Sequence, residues 1–542
     1  MKKNSFIGGA FIATFGILIV KIIGVLYVVP FYAIIGEASG ALYGYAYNIY
    51  ALFLGISSAG IPFAISKITS EYKALGLEEA KQRVYIISRN VILGLSIFIF
   101  LILFFASESI AKFIIGSTID ATTLSNVSYV VKMISFAILI VPFISTIKGY
   151  LQGHKFITPT AISQIIEQIV RVLVILIGSY LAIYVFKIGE VKAVGIAVFG
   201  AFIGGVATYL YLKYVMIKNK KQLINPTLTK DNITNKEIIK KILAYAFPFV
   251  LVALANNFYN FIDMVIIIRV MTEYLGYALE YVENIVSIYT TWGMKLNMIV
   301  TAIATGLVTS LIPNIVSSFT KKDYKDVNNK FNKTIQIMLL LIVPITLFLS
   351  VLALPVWTLF YGVSELGYLV FRFSIFTALF GSFYMIITGM LQGMNKFKLV
   401  YITIFGGTIL NAVLDIPLII LFDKFTKYPY YGAILATLIG LGISIWYALY
   451  NLKKTENFDY KETLKKTPSF IMGYILFLIP LYILQLFIPI NLTNRWLQIP
   501  IIFVYGIVSF GIYIWYHYKN KNIENVFGKE LLNKINIFKK RG

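Results

Sequence analysis

The sequence predicts an all-α integral membrane protein with about fourteen spanning helices, and three observations carry that reading. Hydrophobic residues make up 59% of 542 positions, and charged residues only 13%, about half the share in soluble proteins. The apolar residues gather into runs long enough to cross a bilayer. The basic residues fall on alternate connections between those runs.

A spanning helix needs roughly 20 apolar residues. The predicted spans are 5–29, 42–64, 84–106, 127–148, 157–183, 192–212, 242–268, 285–313, 334–360, 366–391, 399–421, 431–451, 468–489 and 496–517. Met-Lys-Lys-Asn-Ser enters the first run without a small-residue cleavage site, as expected of a retained helix. With the amino terminus on the cytoplasmic side, 35 of the 48 Lys and Arg fall on cytoplasmic segments and seven on the opposite side, leaving six inside spans. That asymmetry puts both termini on the cytoplasmic side. It also accounts for the net charge of +24 through anionic headgroups, so no nucleic-acid partner is expected. There is no cysteine and there are two histidines, which excludes thiolate chemistry and a multi-histidine metal site. No loop carries the paired carboxylates, metal motif or activated nucleophile of an enzyme. No cofactor is expected.

The chain repeats itself. Gly-Tyr-Leu-Gln-Gly at 149–153 recurs as Gly-Met-Leu-Gln-Gly at 389–393, and Ile61-Pro62 recurs as Ile312-Pro313, with Tyr72 and Tyr324 following in similar places. Both pairs lie six spans apart, so the copies keep the same topology, related by an axis along the membrane normal. The predicted organisation is a first lobe (1–217, spans one to six), a cytoplasmic linker (218–240) and a second lobe (241–452, spans seven to twelve). A loop (453–467), two additional helices (468–518) and a basic tail (519–542) complete the chain. Pro142, Pro248, Pro344, Pro417 and Pro480 interrupt spans, by ordinary membrane packing or as kinks that let bundles bend.

Charge inside a membrane costs about 2.5–3.5 kcal/mol at the helix centre, so each case asks for a reason. Lys21 lies ~24 Å along the first span and Lys295 ~15 Å from the outer end of the eighth. Either they face a shared aqueous cavity or they snorkel or pair with an acid. Glu167 and Arg171 share a face of the fifth span with Gln164 and Gln168, as an ion pair or as substrate ligands. Arg89, Lys132 and Arg372 sit near span ends and read as anchors, cavity groups or gates. Asp263 is expected to pair with Arg269 or a cavity lysine, Asp415 to sit at the outer interface, and Asn256 or Asn257 to face the bundle interior. With six basic residues against three acids in the spans, the cavity favours an anion such as phosphate.

The stretches Lys21–Gly36, Ala41–Tyr50, Ser57–Lys67 and Lys148–Val172 resemble the bacterial stage V sporulation protein B group. That group lies in the polysaccharide-transporter branch of the multidrug/oligosaccharidyl-lipid/polysaccharide exporter superfamily, which includes lipid II flippases of the MurJ type. The resemblance implies two lobes in a V with alternating access, a final helix pair that makes a groove for an isoprenoid tail, and basic cavity residues on the first and eighth helices, where Lys21 and Lys295 fall. Tyr27 and Val28 stand where Gram-negative relatives carry an Arg-Asp pair. The implied cargo is an undecaprenyl-diphosphate-linked cell-wall precursor, lipid II first. The alternatives are another lipid-linked oligosaccharide or a drug, moved by a monomer using membrane potential or a Na+ or H+ gradient.

Overall fold

The computed structural model describes residues 16, 19–37, 39–55, 61–116, 121–223, 232–320, 322–490 and 494–527, and within its helices it describes no side chain at 52–55, 63, 74, 248–249, 252–257, 309–314, 316–317 and 320. All regular structure among the described residues is helical. The first half holds α1 (Ile19–Ile35), α2 (Ser39–Gly55), α3 (Ile61–Ala74), α4 (Glu78–Phe105), α5 (Ser107–Ile115), α6 (Ala121–Gly153), α7 (Ile157–Val185) and α8 (Glu190–Lys218). The second holds α9 (Asn235–Arg269), α10 (Leu279–Val286), α11 (Gly293–Thr320), α12 (Tyr324–Val351), α13 (Ala353–Tyr361), α14 (Glu365–Gly393), α15 (Phe397–Thr426) and α16 (Tyr430–Glu456), and then α17 (Lys461–Phe487) and α18 (Gln498–Lys519).

Ten of the described helices are long and apolar enough to cross a membrane, namely α4, α6, α7, α8, α12 and α14–α18. Of the other predicted spans, 242–268 and 285–313 overlap α9 and α11, 42–64 overlaps α2 and the start of α3, and 19–29 of the first span lies in α1; most of 5–18, and 56–60, lie outside the described residues. Large apolar side chains such as Phe98, Phe105, Leu210, Trp446 and Phe503 face outward, as lipid requires and water forbids. The chain is a multi-pass membrane protein. Two compact units are present, one of Met1–Lys295 with Ile404–Thr437, the other of Leu296–Thr403 with Leu438–Gly542.

The repeat is visible in the backbone. After Gly153, Lys155 is left-handed at φ 67° and Phe156 N–H reaches back to the Leu151 carbonyl at 2.9 Å. After Gly393, Asn395 is left-handed at φ 57° and Lys396 N–H reaches the Leu391 carbonyl at 2.8 Å. Both are Schellman-type helix ends. The third span of each half also breaks alike: α4 ends at Ala106 and α12 at Leu352, each succeeded by a nine-residue helix, α5 and α13, and then by a glycine of positive φ, Gly116 and Gly362. The Tyr72–Tyr324 match is not part of this equivalence, because Tyr72 lies in the last turn of α3 while Tyr324 opens α12.

Two repeat motifs touch in the first copy. A Cβ on Gly149 would stand 2.7 Å from the Pro62 carbonyl oxygen, and one on Gly153 would stand 2.6 Å from Thr69 Cβ. The Gly-x-x-x-Gly spacing lets α6 lie directly on α3, the usual means of close helix approach in lipid. In the second unit the final pair packs on α12: Tyr474 and Tyr513 hydroxyls donate to the Leu339 and Leu340 carbonyls at 2.8 and 3.0 Å, and Phe348 meets Phe477 and Phe510. Gly149→Val should therefore destabilise the purified protein by about 1–3 kcal/mol through overpacking, read as a lowered thermal midpoint, whereas Gly94→Ala, where a Cβ meets open space, should not.

Candidate functional site

Two of the in-span cations, Arg171 and Lys295, meet on α2. Tyr43, Tyr47 and Tyr50 recur at helical spacing along one stripe of that helix, and all three are buried or nearly so. Lys295, near the start of α11 and only 7% exposed, places its Nζ 4.6 Å from the Tyr47 ring centroid and 5.7 Å from that of Tyr27. Arg171, from α7, places its guanidinium carbon 5.5 Å from the same Tyr47 ring and 5.4 Å from Tyr50. One tyrosine thus carries two cations from two other helices. Tyr27 closes the group through a 3.4 Å hydroxyl contact to Tyr43. Cation–π attraction supplies roughly 0.5–2 kcal/mol per contact and leaves both charges able to accept an anion. Among the described residues neither cation forms an ion pair with a carboxylate.

The Glu167–Arg171 pair does not close. Glu167 Oε2 instead lies 3.2 Å from Lys148 Nζ of α6. Four-residue spacing put both side chains on one helix face, but the neighbouring helices divide that face, α6 taking the acid and α2 the base. Lys21 lies half-buried on α1, six residues before Tyr27, ~9 Å of helical rise away.

The end of this site away from the basic loops is fastened by hydrogen bonds. Ser287 and Thr291 hydroxyls donate to the Glu37 and Gly40 carbonyls at 2.7 and 3.2 Å, Trp292 Nε1 donates to the Glu37 carbonyl at 3.4 Å, and Tyr45 donates to Glu283 at 3.1 Å. Gly40 and Gly44 leave no room for a Cβ against Ser287, Trp292 and Thr291. Residues 287–292 form a π-helical turn, as do 174–178, 181–185 and 270–274, all at this same end of their helices. Such turns shift the register of the next helical residues and gather at functional sites; nothing in the hydrophobic pattern marks them.

A second constellation lies around Asp263 of α9. Its carboxylate accepts from the Tyr289 hydroxyl at 2.8 Å, the Asn411 amide at 2.7 Å and the Thr437 hydroxyl at 2.7 Å. Asp415, four residues beyond Asn411 on α15, is also buried and within hydrogen-bonding reach of Asp263. Asp263 therefore does not pair with Arg269, nor does Asp415 sit at an exposed interface. Arg269 turns outward and donates to the Phe113 carbonyl at 2.6 and 3.1 Å, capping the end of α5. Asp415 Oδ1 and Asn411 Oδ1 are buried acceptors without a donor. Two neighbouring carboxyls need a positive partner between them, and an all-oxygen set suits a proton or a hard monovalent cation. Asn411, Thr437 and Tyr289 were not singled out from the sequence; the Asn411–Asp415 spacing was the available signal.

The remaining predicted residues lie elsewhere. Arg89 stays near the basic end of α4 against Tyr85 and Asn90. Arg372 of α14 donates to the Ser350 carbonyl of α12 at 3.4 Å and serves as an anchor. Lys132 of α6 lines a separate cavity at the opposite end. The side chain of Asn257 lies outside the described residues, as does that of Asn256.

Known proteins resemble this chain along its length. A family profile described as polysaccharide biosynthesis protein matches residues 6–319, and one described as MatE matches 248–416. The lipid II flippase MurJ of Bacillus subtilis (strain 168) is 33% identical over 546 residues, which cover 98% of each chain. Stage V sporulation protein B of the same organism is 25% identical over 342 residues, covering 63% of this chain and 64% of that one. A solved structure of the lipid II flippase MurJ in an inward closed conformation superposes with a TM-score of 0.69 at 18% identity, covering 94% of this chain and 99% of that one. These similar proteins are membrane transporters rather than enzymes, and the chain belongs to the polysaccharide biosynthesis protein family.

Proposed function

We propose that the protein is a flippase that carries an undecaprenyl-diphosphate-linked cell-wall precursor, lipid II, from the inner to the outer leaflet of a bacterial cell membrane. The supporting observation is the meeting of Arg171 and Lys295 on Tyr47 with no carboxylate partner among the described residues. Two cations held on aromatic faces match a diphosphate in charge, and the guanidinium can engage phosphate oxygens in bidentate fashion. Identity of 33% to the B. subtilis MurJ over 98% of both chains supports the cargo.

In this reading the diphosphate takes its place between Arg171 and Lys295, Lys21 assists its entry and the Lys148–Glu167 pair borders the fifth helix. The isoprenoid tail stays in lipid along 468–518. The lobes 1–217 and 241–452 then exchange their openings, which requires release of the α2 hydrogen bonds to 287–292. Both termini are inside, the protein works as a monomer, and the basic face binds lipid headgroups rather than nucleic acid. Each negative charge moved outward gains about 2.3 kcal/mol per 100 mV of inside-negative potential. Asp263, Asp415, Asn411 and Thr437 would hold a coupling proton or sodium ion, whose role is to neutralise the carboxyl pair in one state of the cycle.

The MatE match over 248–416 favours a second reading, a drug antiporter. That reading requires acids that meet the cargo. The buried acids here face an amide and hydroxyls, while the aromatic stripe faces cations.

Three outcomes are expected with purified protein in vesicles carrying labelled lipid II. Wild type translocates it faster under an imposed inside-negative potential, and Lys295→Glu falls to background, at least a hundredfold lower, while still inserting. Retained transport in that variant would contradict the cationic site. Tyr47→Leu loses about tenfold, and Tyr47→Phe, which keeps the ring face against both cations, loses less. Asp263→Asn removes dependence on a Na+ or H+ gradient while lipid II binding, read by tryptophan fluorescence, is kept; loss of binding alongside would place the acid with the cargo.

A further inference from the structure

A second cationic feature lies away from the cargo site, at the end of the first-lobe helices opposite the basic loops. Ser125, Asn126, Ser128, Tyr129 and Lys132 of α6, together with 188–192 between α7 and α8, enclose a cavity of about 370 Å³, within the ~300–1,000 Å³ range of small-ligand sites. Lys192 holds its Nζ 4.1 Å from the Tyr129 ring centroid, and that ring rests on Gly195, where a Cβ would strike it. Lys132 also lines the cavity, one turn along α6 from Tyr129.

Glu108 is ion-paired with Lys112 at 2.9 Å. Glu190 lines the cavity, accepts a 2.5 Å hydrogen bond from Ser39 and keeps its negative charge. Lys132 and Lys192 outnumber it, so the cavity keeps a net surplus of one positive charge on the face where the chain places few basic residues. Its rim is apolar: Ile188 lines it, and Tyr180, Tyr184, Val185 and Phe186 continue outward along the last turns of α7, each about half exposed or more. Tyrosines at such a position mark the membrane interface.

We infer that this cavity binds the phosphate headgroup of an anionic phospholipid from the leaflet at that end, with Lys132 and Lys192 as its ligands and the α7 rim against its acyl chains. The link Glu190–Ser39 puts the lipid one hydrogen bond from α2, the helix that bears the cargo tyrosines. The site does not rest on the transport reading.

Native mass spectrometry of the full-length protein in detergent tests it with three probes: dioctanoyl-phosphatidylglycerol, dioctanoyl-phosphatidylcholine and glycerol 3-phosphate. The expected result is one retained phosphatidylglycerol per chain, bound at least fivefold tighter than phosphatidylcholine and not displaced by equimolar glycerol 3-phosphate. Removing both charges in Lys132→Gln/Lys192→Gln should weaken it about twenty-fivefold, at roughly fivefold per lysine. Filling the cavity with Ser125→Trp, an exposed position that leaves the charges in place, should abolish it. Lys187→Gln, beside the cavity but not lining it, should change binding less than twofold. Unchanged binding in either of the first two variants overturns the proposal, as does equal affinity for phosphatidylcholine. Competition by glycerol 3-phosphate would assign the cavity to a soluble phosphate and overturn the lipid source.

Discussion

Two like charges sharing one buried ring is the constraint on which the rest of the structure depends. Placing Arg171 and Lys295 in the span region costs about 3 kcal/mol each. Their four contacts with Tyr27, Tyr47 and Tyr50 contribute about 1 kcal/mol apiece. Roughly 2 kcal/mol stay uncompensated by that comparison, and an arriving anion offsets it. A carboxylate partner would have neutralised one of the cations, at its own desolvation cost, and left less to attract an anion. Among the described residues neither cation has such a partner.

Helix α2 does the positioning. One stripe presents Tyr43, Tyr47 and Tyr50; glycines 40 and 44 let its first turns lie on the 287–292 turn. The π-helical geometry of that turn directs Trp292 at the Glu37 carbonyl and delivers Lys295 one turn later to the tyrosines. Fastening α2 and supplying the second cation are thus one structural event. Asp263 is held by Tyr289, which belongs to the same turn. One hydrogen bond and six residues of helix therefore separate the Asp263 carboxylate from Lys295.

The sequence disclosed the membrane class, the spans and the internal repeat, because hydrophobic length, charge bias and motif recurrence are one-dimensional quantities. Lys295 and Arg171 were legible because charge in a span is costly and therefore conspicuous. Tyr43, Tyr47 and Tyr50 were not, since tyrosines are ordinary residues in membrane helices and only the approach of two other helices gives them a role. Glu167 and Asp263 were visible as acids inside spans, but the ion pairs offered for them, Glu167 with Arg171 as one of two readings and Asp263 with Arg269 or a cavity lysine, do not form among the described residues. Spacing along one helix reports which face a side chain shares, not which neighbour arrives there, and Lys148, Asn411 and Thr437 come from other helices. Lys132 was legible as a charge near a helix end, while its cavity requires the 188–192 connection to fold against α6.

The chain has no cysteine, so a single one placed at Lys295 can be addressed alone. Lys295→Cys should be inactive and should react, in membranes, with water-borne methanethiosulfonate reagents. Attachment of an aminoethyl group, which restores the cation, should recover lipid II translocation, and attachment of a sulfonatoethyl group should not. Inertness of that thiol to both reagents, or recovery of transport irrespective of the sign attached, would contradict a water-accessible cationic site at the centre of this protein.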